Sequence, residues 1–265
     1  ADTSLVTTGF LRHAYDLNNR FDETWETKAV GHVTRHVDMS ELDVDFFELT
    51  TGPRLAFAPA DLTNARVRPY LAGQVVRIDR DTRAAGGGVE VSMPLDARLF
   101  FQSAYEILYQ DYRDTRSLPF ASERTGVEQR VEGQLTLALD DTFGLIGRLG
   151  ANHRGADADW ERYLEGLGEF GIQARYNAPF AITDWPWTAF ASVRATHTNY
   201  SNPDPTVAPG TRREDREYRF AARNTFRINE TWAVELRLAH TINNSNITNY
   251  EFDNTSVTLG GIIRF

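Results

Sequence analysis

Apolar and polar residues alternate with a period of two along most of the chain from Trp25 to Phe265. In the segment 232–242 most even positions are apolar, whereas Glu235 and Arg237 occupy odd positions. Successive side chains of a β-strand point to opposite faces of its sheet, so this period gives a strand one apolar and one polar face. The pattern therefore predicts an all-β protein whose strands each have one wet face.

The alternation and the polar breaks between segments predict thirteen candidate strands. They cover residues 4–16, 25–37, 43–57, 66–79, 86–94, 97–112, 124–139, 143–154, 161–176, 187–200, 213–228, 231–243 and 251–265. Short connections alternate with longer polar loops, as in barrels that carry tight periplasmic turns at one end and external loops at the other. The strands from Trp25 onward form an even set, so we predict an antiparallel transmembrane β-barrel of about 12 strands over residues 25–265.

Residues 1–24 fall outside this even set. We expect them to be an N-terminal segment that lies in the lumen or periplasm, or an extra strand. An extra strand would belong to a barrel of 14 strands with a missing N-terminal part. The chain opens at Ala1-Asp2 without a charged region followed by an apolar one, so we expect a mature chain or a fragment of a longer one.

The last strand carries a more specific signal. Val257, Leu259, Gly261, Ile263 and Phe265 share one face and end the chain on an aromatic residue. This arrangement resembles the final strand of bacterial outer-membrane barrels. The resemblance implies that Phe265, Ile263, Leu259 and Val257 are an assembly signal, and that the barrel assembly machinery is a partner.

Composition supports the same class of protein. The chain lacks cysteine, as suits an envelope protein, and no run approaches the ~20 apolar residues of a membrane-spanning helix. Its mean hydropathy is −0.44, although 12% of the residues are aromatic. A transmembrane barrel combines these values because only every second strand residue faces lipid. The net charge of −9 argues against a nucleic-acid partner.

Aromatic residues gather near the predicted periplasmic ends of the strands, where they suit the level of the lipid headgroups. They are Trp25, Phe57, Tyr70, Phe143, Tyr176, Phe180, Trp185, Trp187, Phe226, Trp232 and Phe265. We therefore predict a location in the bacterial outer membrane, with outer-membrane lipid and lipopolysaccharide as partners.

Four stretches resemble one family of barrels more closely. They are Asn243–Asn254 with the residues that follow it, Glu41–Leu55, Arg68–Gly73 and Tyr15–Asn19. These stretches are similar to the C-terminal outer-membrane β-barrel family of proteobacteria. That family is often linked to tetratricopeptide-type periplasmic domains and includes the surface lipoprotein assembly modifiers. The resemblance implies transport of lipoproteins or other polypeptides to the cell surface, and a periplasmic or surface protein as a further candidate partner. Residues 1–265 contain no helical-repeat pattern and predict twelve rather than fourteen strands, so they depart from the family in both respects.

Arginine and glutamate dominate the predicted inward face, and Lys28 is the only lysine. The predicted lumen-lining residues are Arg148, Arg219, Arg223, Arg227, Arg237, Glu128, Glu132, Glu165 and Glu169. Two interpretations stay open. Opposite charges on neighbouring strands could pair and plug a narrow barrel, since arginine forks suit carboxylates. Separated positive and negative walls could instead line a water-filled pore.

The predicted function is a conduit for export or passage of a solute, polysaccharide or polypeptide across the outer membrane. The alternative is a structural membrane anchor or interaction module, whose plugged lumen docks an envelope partner. A pore predicts measurable conductance, whereas an anchor predicts a stable complex with another envelope component. The sequence does not choose between them.

Catalytic and metal-binding patterns are weak. His153 near Asp157, and His197 near Ser201 and Asp204, match no recognised catalytic motif. We therefore expect no enzyme activity and no cofactor or metal. Carboxylates of the loops 38–45 and 157–161 could bind calcium, but such loops are usually only solvated. Gly86–Gly88 has no helix after it, so it indicates flexibility or a close backbone approach rather than a phosphate-binding loop.

Overall fold

The computed structural model describes residues 4–19, 21–38, 43–56, 64–77, 81–114, 120–179 and 182–263. Within these ranges thirteen strands lie in one sheet, in the order in which they follow along the chain. They are β1 (Ser4–Asp16), β2 (Thr24–His36), β3 (Val44–Ala56), β4 (Arg66–Arg77), β5 (Asp81–Pro94), β6 (Leu99–Tyr112), β7 (Gly126–Ala138), β8 (Phe143–Arg154), β9 (Tyr163–Tyr176), β10 (Trp187–Tyr200), β11 (Glu214–Arg227), β12 (Trp232–Ser245) and β13 (Phe252–Ile263).

Among the described residues, helical structure is limited to short 3-10 turns. They include Ala121–Arg124, Asp159–Glu161 and Thr248–Tyr250. Among the residues that the structure describes, no helix has the length and apolar character needed to cross a membrane.

The predicted strand positions agree with the structure to within a few residues, but the predicted strand number is wrong. The described sheet has thirteen strands, not twelve or fourteen. β1 pairs with β2 in antiparallel register over its whole length, from Ser4 opposite His36 to Asp16 opposite Thr24. For β1 the sequence left two alternatives, an N-terminal segment or an extra strand, because bacterial single-chain barrels usually have even numbers of strands. Its backbone hydrogen bonds nevertheless place it in the sheet.

The chain divides into two compact units. The first unit comprises Ala1–Met93, Gln102–Val131 and Asn152–Leu164. The second unit comprises Pro94–Phe101, Glu132–Ala151 and Glu165–Phe265. Successive strands from β1 to β5 in the first unit, and from β10 to β13 in the second, pair in antiparallel registers.

The registers keep residues of like polarity on one face of the sheet. Arg223 of β11 lies opposite Arg237 of β12, whereas the adjacent Ala222 lies opposite Leu238 on the other face. We call the side of each strand that carries its charged residues the polar face, as with Arg223 of β11 and Glu26 of β2. The opposite side is the apolar face. The period of two in the sequence is therefore preserved across paired strands.

Burial in this sheet is inverted relative to a soluble protein. Among the described residues, the buried hydrophobic side chains are alanines apart from Leu108. Charged side chains are buried instead: Glu26 and Arg68 are each 2% exposed. Large apolar side chains lie at the surface, with Leu71 71% and Leu149 73% exposed. Soluble proteins bury the large apolar residues and expose the charged ones, so the apolar faces here require an apolar surrounding.

Aromatic side chains mark both ends of the strands in the second unit. Near the short turns, the rings of Trp187 and Tyr176 meet edge to face with centroids 6.1 Å apart. At the loop ends, the Arg213 guanidinium lies 4.6 Å from the ring of Tyr200 and 3.5 Å from that of Tyr250. From Trp187 to Tyr200 a strand rises about 43 Å at the usual spacing. A tilt of about 45° reduces this to about 30 Å, the thickness of the hydrocarbon core of a bilayer.

The glycines of β5 lie where neighbouring strands leave no room for a side chain. A β-carbon at Gly86 would collide with the backbone carbonyl oxygen of Ile107. A β-carbon at Gly88 would collide with the carbonyl oxygen of Tyr105 and the hydroxyl of Tyr70. Of the two alternatives predicted for Gly86–Gly88, flexibility or a close backbone approach, the structure shows the close approach.

Three short turns of the second unit share one construction. They span residues 95–99, 139–143 and 228–232, and in each the amide of the first residue donates to the carbonyl of the fifth at 2.8 or 2.9 Å. The second residue of each is Asp96, Asp140 or Asn229. Short side chains with an acceptor oxygen favour such turns because they bond backbone N–H groups that the turn leaves free.

The Asp140 carboxylate is expected to stabilise the turn between β7 and β8. Its Oδ1 accepts hydrogen bonds from the amides of Thr142 and Phe143, both at 2.7 Å. The backbone N–H groups of Phe143 and Thr142 hold the pKa of this carboxyl below its ordinary value of 3.8. A depressed folded-state pKa gives stability that is present above the unfolded pKa and is lost as pH falls through the folded value.

Replacing Asp140 with alanine should therefore lower the urea midpoint of the protein in lipid vesicles at pH 7. The difference from the unaltered protein should shrink as the pH falls below about 4, where the carboxylate of the unaltered protein becomes protonated. Asp141→Ala is the matched control, since the structure describes no hydrogen bond from the Asp141 side chain. An equal loss for both variants would count against this role of Asp140.

Candidate functional site

The polar face of the first unit contains a cluster of ion pairs around Glu26. Arg12 Nη2 lies 2.5 Å and Arg54 Nη1 3.4 Å from Glu26 Oε1, and Arg68 Nε lies 3.9 Å from Oε2. The side chains of Glu26 and Arg68 are each 3% exposed, whereas those of Arg12 and Arg54 are 46% and 38% exposed. A single buried carboxylate is thus shared by three guanidinium groups.

Glu90 extends this cluster to the next strands. Arg68 Nη1 lies 3.4 Å from Glu90 Oε1, and the Lys28 ammonium donates to both Glu90 oxygens at 2.9 and 3.1 Å. Arg68 also donates to Thr50 Oγ1 at 3.0 Å. Opposite charges from β2, β4 and β5 therefore pair directly, as the plugged-lumen interpretation of the sequence expects.

Other carboxylates of the first unit bond to neutral donors. The Tyr70 hydroxyl donates to Glu106 at 3.0 Å, and the Gln110 amide donates to Glu128 at 2.5 Å. Arg130 Nη2 also reaches Glu128 at 3.1 Å. The polar face of this unit is thus connected by hydrogen bonds on every strand from β2 to β7.

In the second unit, Glu169 bridges two arginines. Arg194 Nη2 and Nε lie 2.8 and 3.2 Å from Glu169 Oε2, and Arg148 Nη1 lies 3.3 Å from the same oxygen. Arg148 also donates to the Gln134 side chain at 2.9 Å. One carboxylate oxygen is therefore shared by arginines of β8 and β10.

Glu235 of β12 bridges a second pair of arginines. Arg237 Nε contacts Glu235 Oε1, and Arg223 Nε lies 3.8 Å from Oε2. Thr225 Oγ1 donates to the same Oε2 at 3.0 Å. The neighbouring Arg219 is exposed and has no ion pair or hydrogen bond from its side chain to any described residue. Arginine therefore exceeds carboxylate on this part of the polar face.

The structure places each predicted lumen-lining residue on the polar face of its strand. Glu128 belongs to the first unit and the other eight to the second. Thr198 donates to Glu165 at 3.0 Å, and the Arg227 guanidinium lies 3.7 Å from the centre of the Trp185 ring at the turn end of β11. That these residues line a lumen stays a prediction. The structure brings Arg219, Arg223 and Arg237 together, whereas Arg227 is apart from them.

The residues predicted as an assembly signal lie on the apolar face of β13. Val257 is 68%, Leu259 73% and Ile263 47% exposed. Phe265 lies outside the described residues, as do two other members of the predicted aromatic set, Phe57 and Phe180. The role of these residues in assembly stays a prediction.

Within the described residues, neither His153 nor His197 forms a hydrogen bond or ion pair with the acids near it in the sequence. His197 Nε2 is 3.8 Å from Glu214, while Asp204 accepts hydrogen bonds from the Thr206 amide and hydroxyl at 2.7 and 2.6 Å. In the loop 157–161, Glu161 pairs with Arg124 at 3.0 Å. No group of three or more His, Cys, Asp or Glu side chains within the described ranges could hold a metal ion.

Sequence reasoning missed the centre of the first unit's ion-pair cluster. Arg12, Glu26 and Lys28 were not among the predicted lumen-lining residues. Arg12 belongs to the segment that the prediction set aside. Glu26 and Lys28 alternate with Trp25 and Ala29 at the period of two, and that signal could have found them.

Of the comparisons with known proteins, only the one with solved structures finds similar proteins. No family model matches the chain, and no curated protein matches it. Its structure is similar to a loop L8 deletion mutant of OmpT, an outer membrane protein of Vibrio cholerae, with 6% identity, 99% of each chain covered and a TM-score of 0.44. It is also similar to the outer membrane protein OpdK of Pseudomonas aeruginosa, with 10% identity, 98% of each chain covered and a TM-score of 0.28.

A third similar structure is OccAB2 of Acinetobacter baumannii, with 11% identity and a TM-score of 0.31, covering 98% of this chain and 96% of that one. All three TM-scores are below 0.5. The membrane location follows instead from the exposed apolar faces of the strands.

Glu26 is expected to contribute strongly to stability. Glu26→Gln removes the charge shared by three arginines and leaves Arg68 buried with only Glu90 as a charged partner. Removing one member of a buried ion pair costs about 3–5 kcal/mol. We expect about 2–4 kcal/mol less free energy of unfolding in urea, since Arg12 and Arg54 are partly exposed.

Arg12→Gln is the comparison variant, because the Arg12 side chain is 46% exposed and can be solvated in the folded protein. We expect it to cost about 1 kcal/mol or less. If both variants had the same free energy of unfolding, Glu26 would not be the centre of this cluster.

Proposed function

We propose that the chain is a transmembrane β-barrel of the bacterial outer membrane that acts as a conduit for a polar solute. The inverted burial of its strands is the observation that carries this proposal. Glu26 and Arg68 are buried on the polar face, while Leu71 and Leu149 are exposed on the opposite face. Hydrocarbon stabilises an exposed apolar face, and water in a lumen stabilises a charged one.

The length of the strands and the aromatic residue at the end of β10 support the membrane location. Every described strand has 12 to 14 residues. A tilted strand needs about 9–11 residues to cross the hydrocarbon core. Trp187 is the first residue of β10 and lies on its apolar face, where a ring with a polar edge suits the lipid headgroups.

The unequal charges of the second unit support a conduit. A side chain that only fills a plugged lumen needs a partner of opposite charge, because an unpaired buried charge is costly. Arg219 is exposed and has no such partner among the described residues. An arginine in this situation is best stabilised by water and passing anions. Export of a polysaccharide or polypeptide, the latter implied by the resemblance to surface lipoprotein assembly modifiers, stays a prediction, as do the predicted lipid and assembly partners.

A second candidate is a structural membrane anchor that docks an envelope partner. The ion-pair cluster around Glu26 favours it, since three arginines converge on one buried carboxylate and so fill the polar face of the first unit. The two candidates differ in whether ions cross the folded protein.

The conduit is tested by single-channel conductance of the purified, refolded protein in a planar bilayer. We expect steady conductance, and a shift of the reversal potential in a salt gradient toward cation preference when Arg219, Arg223 and Arg227 are replaced by alanine. The shift follows because three positive charges leave the polar face. Silence from protein whose folding is verified by heat-dependent electrophoretic mobility would contradict the conduit and favour the anchor.

A further inference from the structure

We propose that Arg194, Arg219, Arg223 and Arg237 form a binding subsite for an oxyanion group, a carboxylate or phosphate carried by a small solute. The inference rests on the proposed conduit, in which this polar face is reached by the solute. It adds the chemical class of the solute and the residues that hold it.

The subsite is a hollow between two rows of arginine. Ser192, Ala221 and Ala239 lie opposite one another on β10, β11 and β12. These three small residues line a cavity of about 210 Å³ together with the four arginines and Glu169. Because their side chains are short, the space above the sheet at this row is left open.

One row of arginine flanks the hollow on each side. Arg194 and Arg219 face each other two residues along the strands in one direction. Arg223 and Arg237 face each other two residues along in the other direction. Successive rows on one face of a sheet are about 7 Å apart. Long guanidinium side chains on both rows can therefore reach an anion held above Ala221.

The charges at this place do not balance. Glu169 is shared by Arg194 and Arg148, and Glu235 is shared by Arg223 and Arg237. Glu217 lies two residues from Arg219 on the same face of β11. With Arg219 there are therefore five arginines and three carboxylates around the hollow. Since each guanidinium has five N–H donors, most of these donors have no carboxylate to bind. The excess positive charge attracts an anion.

Guanidinium chemistry defines the class of ligand. Its planar fork matches the two oxygens of a carboxylate or of a phosphate, which it binds with two parallel hydrogen bonds. The Phe190 ring also lines the hollow, 5.4 Å from the Arg223 guanidinium carbon. A small organic anion with an apolar part can therefore place its charged group on the arginines and its apolar part on this ring.

Isothermal titration calorimetry on the folded protein in detergent tests the subsite without requiring conductance. The probes are benzoate and inorganic phosphate, which separate a carboxylate from a phosphate preference. We expect at least one probe to bind, and Arg219→Gln to weaken it about tenfold, the effect of losing one charge-assisted hydrogen bond. Arg219→Lys keeps the charge but loses the planar fork. Its affinity for the probe should lie between those of the unaltered protein and Arg219→Gln.

Arg216→Gln is the matched control. Arg216 lies on the same strand but on the other face, and it pairs with Glu214 at 2.8 Å. This variant loses the same charge as Arg219→Gln but at a place away from the subsite. If the position of the charge matters, its affinity for the probe should be within about twofold of that of the unaltered protein. Equal weakening by Arg216→Gln and Arg219→Gln would show general charge attraction and overturn the subsite.

The subsite and the conduit can fail separately. No binding of either probe, or binding unchanged in Arg219→Gln, would overturn the subsite even if the protein conducts ions. Binding that is lost in Arg219→Gln supports the subsite even when the bilayer is silent, and then only the conduit is contradicted. Heat-dependent electrophoretic mobility of each variant verifies that the protein is folded.

Discussion

The structure depends on one constraint, the alternation of charged and apolar side chains along strands that are hydrogen-bonded to their neighbours in the sheet. Each strand carries charged or polar side chains on one face and apolar side chains on the other, so the two faces of the sheet need different surroundings. The buried positions are occupied by charged residues such as Glu26 and Arg68, and the exposed ones by residues such as Leu149. A water-soluble sheet would have the opposite arrangement. Because backbone pairing fixes the register, moving a strand by one residue would place its charges in the apolar surrounding.

The polar faces of the two units differ in how their charges are satisfied. In the first unit, three arginines converge on Glu26. Such a cluster is tightly connected and resists rearrangement. In the second unit, Glu169 and Glu235 each form ion pairs with two arginines. Arg219 has no carboxylate partner among the described residues. The first arrangement suits a stable wall, and the second suits contact with a mobile anion.

The sequence predicted the strands and their faces because both follow from a local period. The shared face of Arg219 and Arg223 is an example, since the strand geometry alone determines it. Ion-pair partners could not be predicted in the same way. That Glu169 would bind Arg148 and Arg194 depends on the registers of three strands, which the sequence does not state. The strand number was not predicted because β1 lacks a strict alternation, with Phe10 and Leu11 adjacent, and because an even number of strands was expected.

The most direct test of the inverted faces is the accessibility of single residues along β11 in lipid vesicles. The chain has no cysteine, so one spin label at a time can be attached to a cysteine introduced at each position from 217 to 226. Odd positions should collide with a water-soluble nickel chelate, and even positions with oxygen dissolved in lipid. Such an alternation would support a charged face in contact with water and an apolar face in contact with lipid. No alternation, or even positions that meet only the nickel chelate, would contradict it.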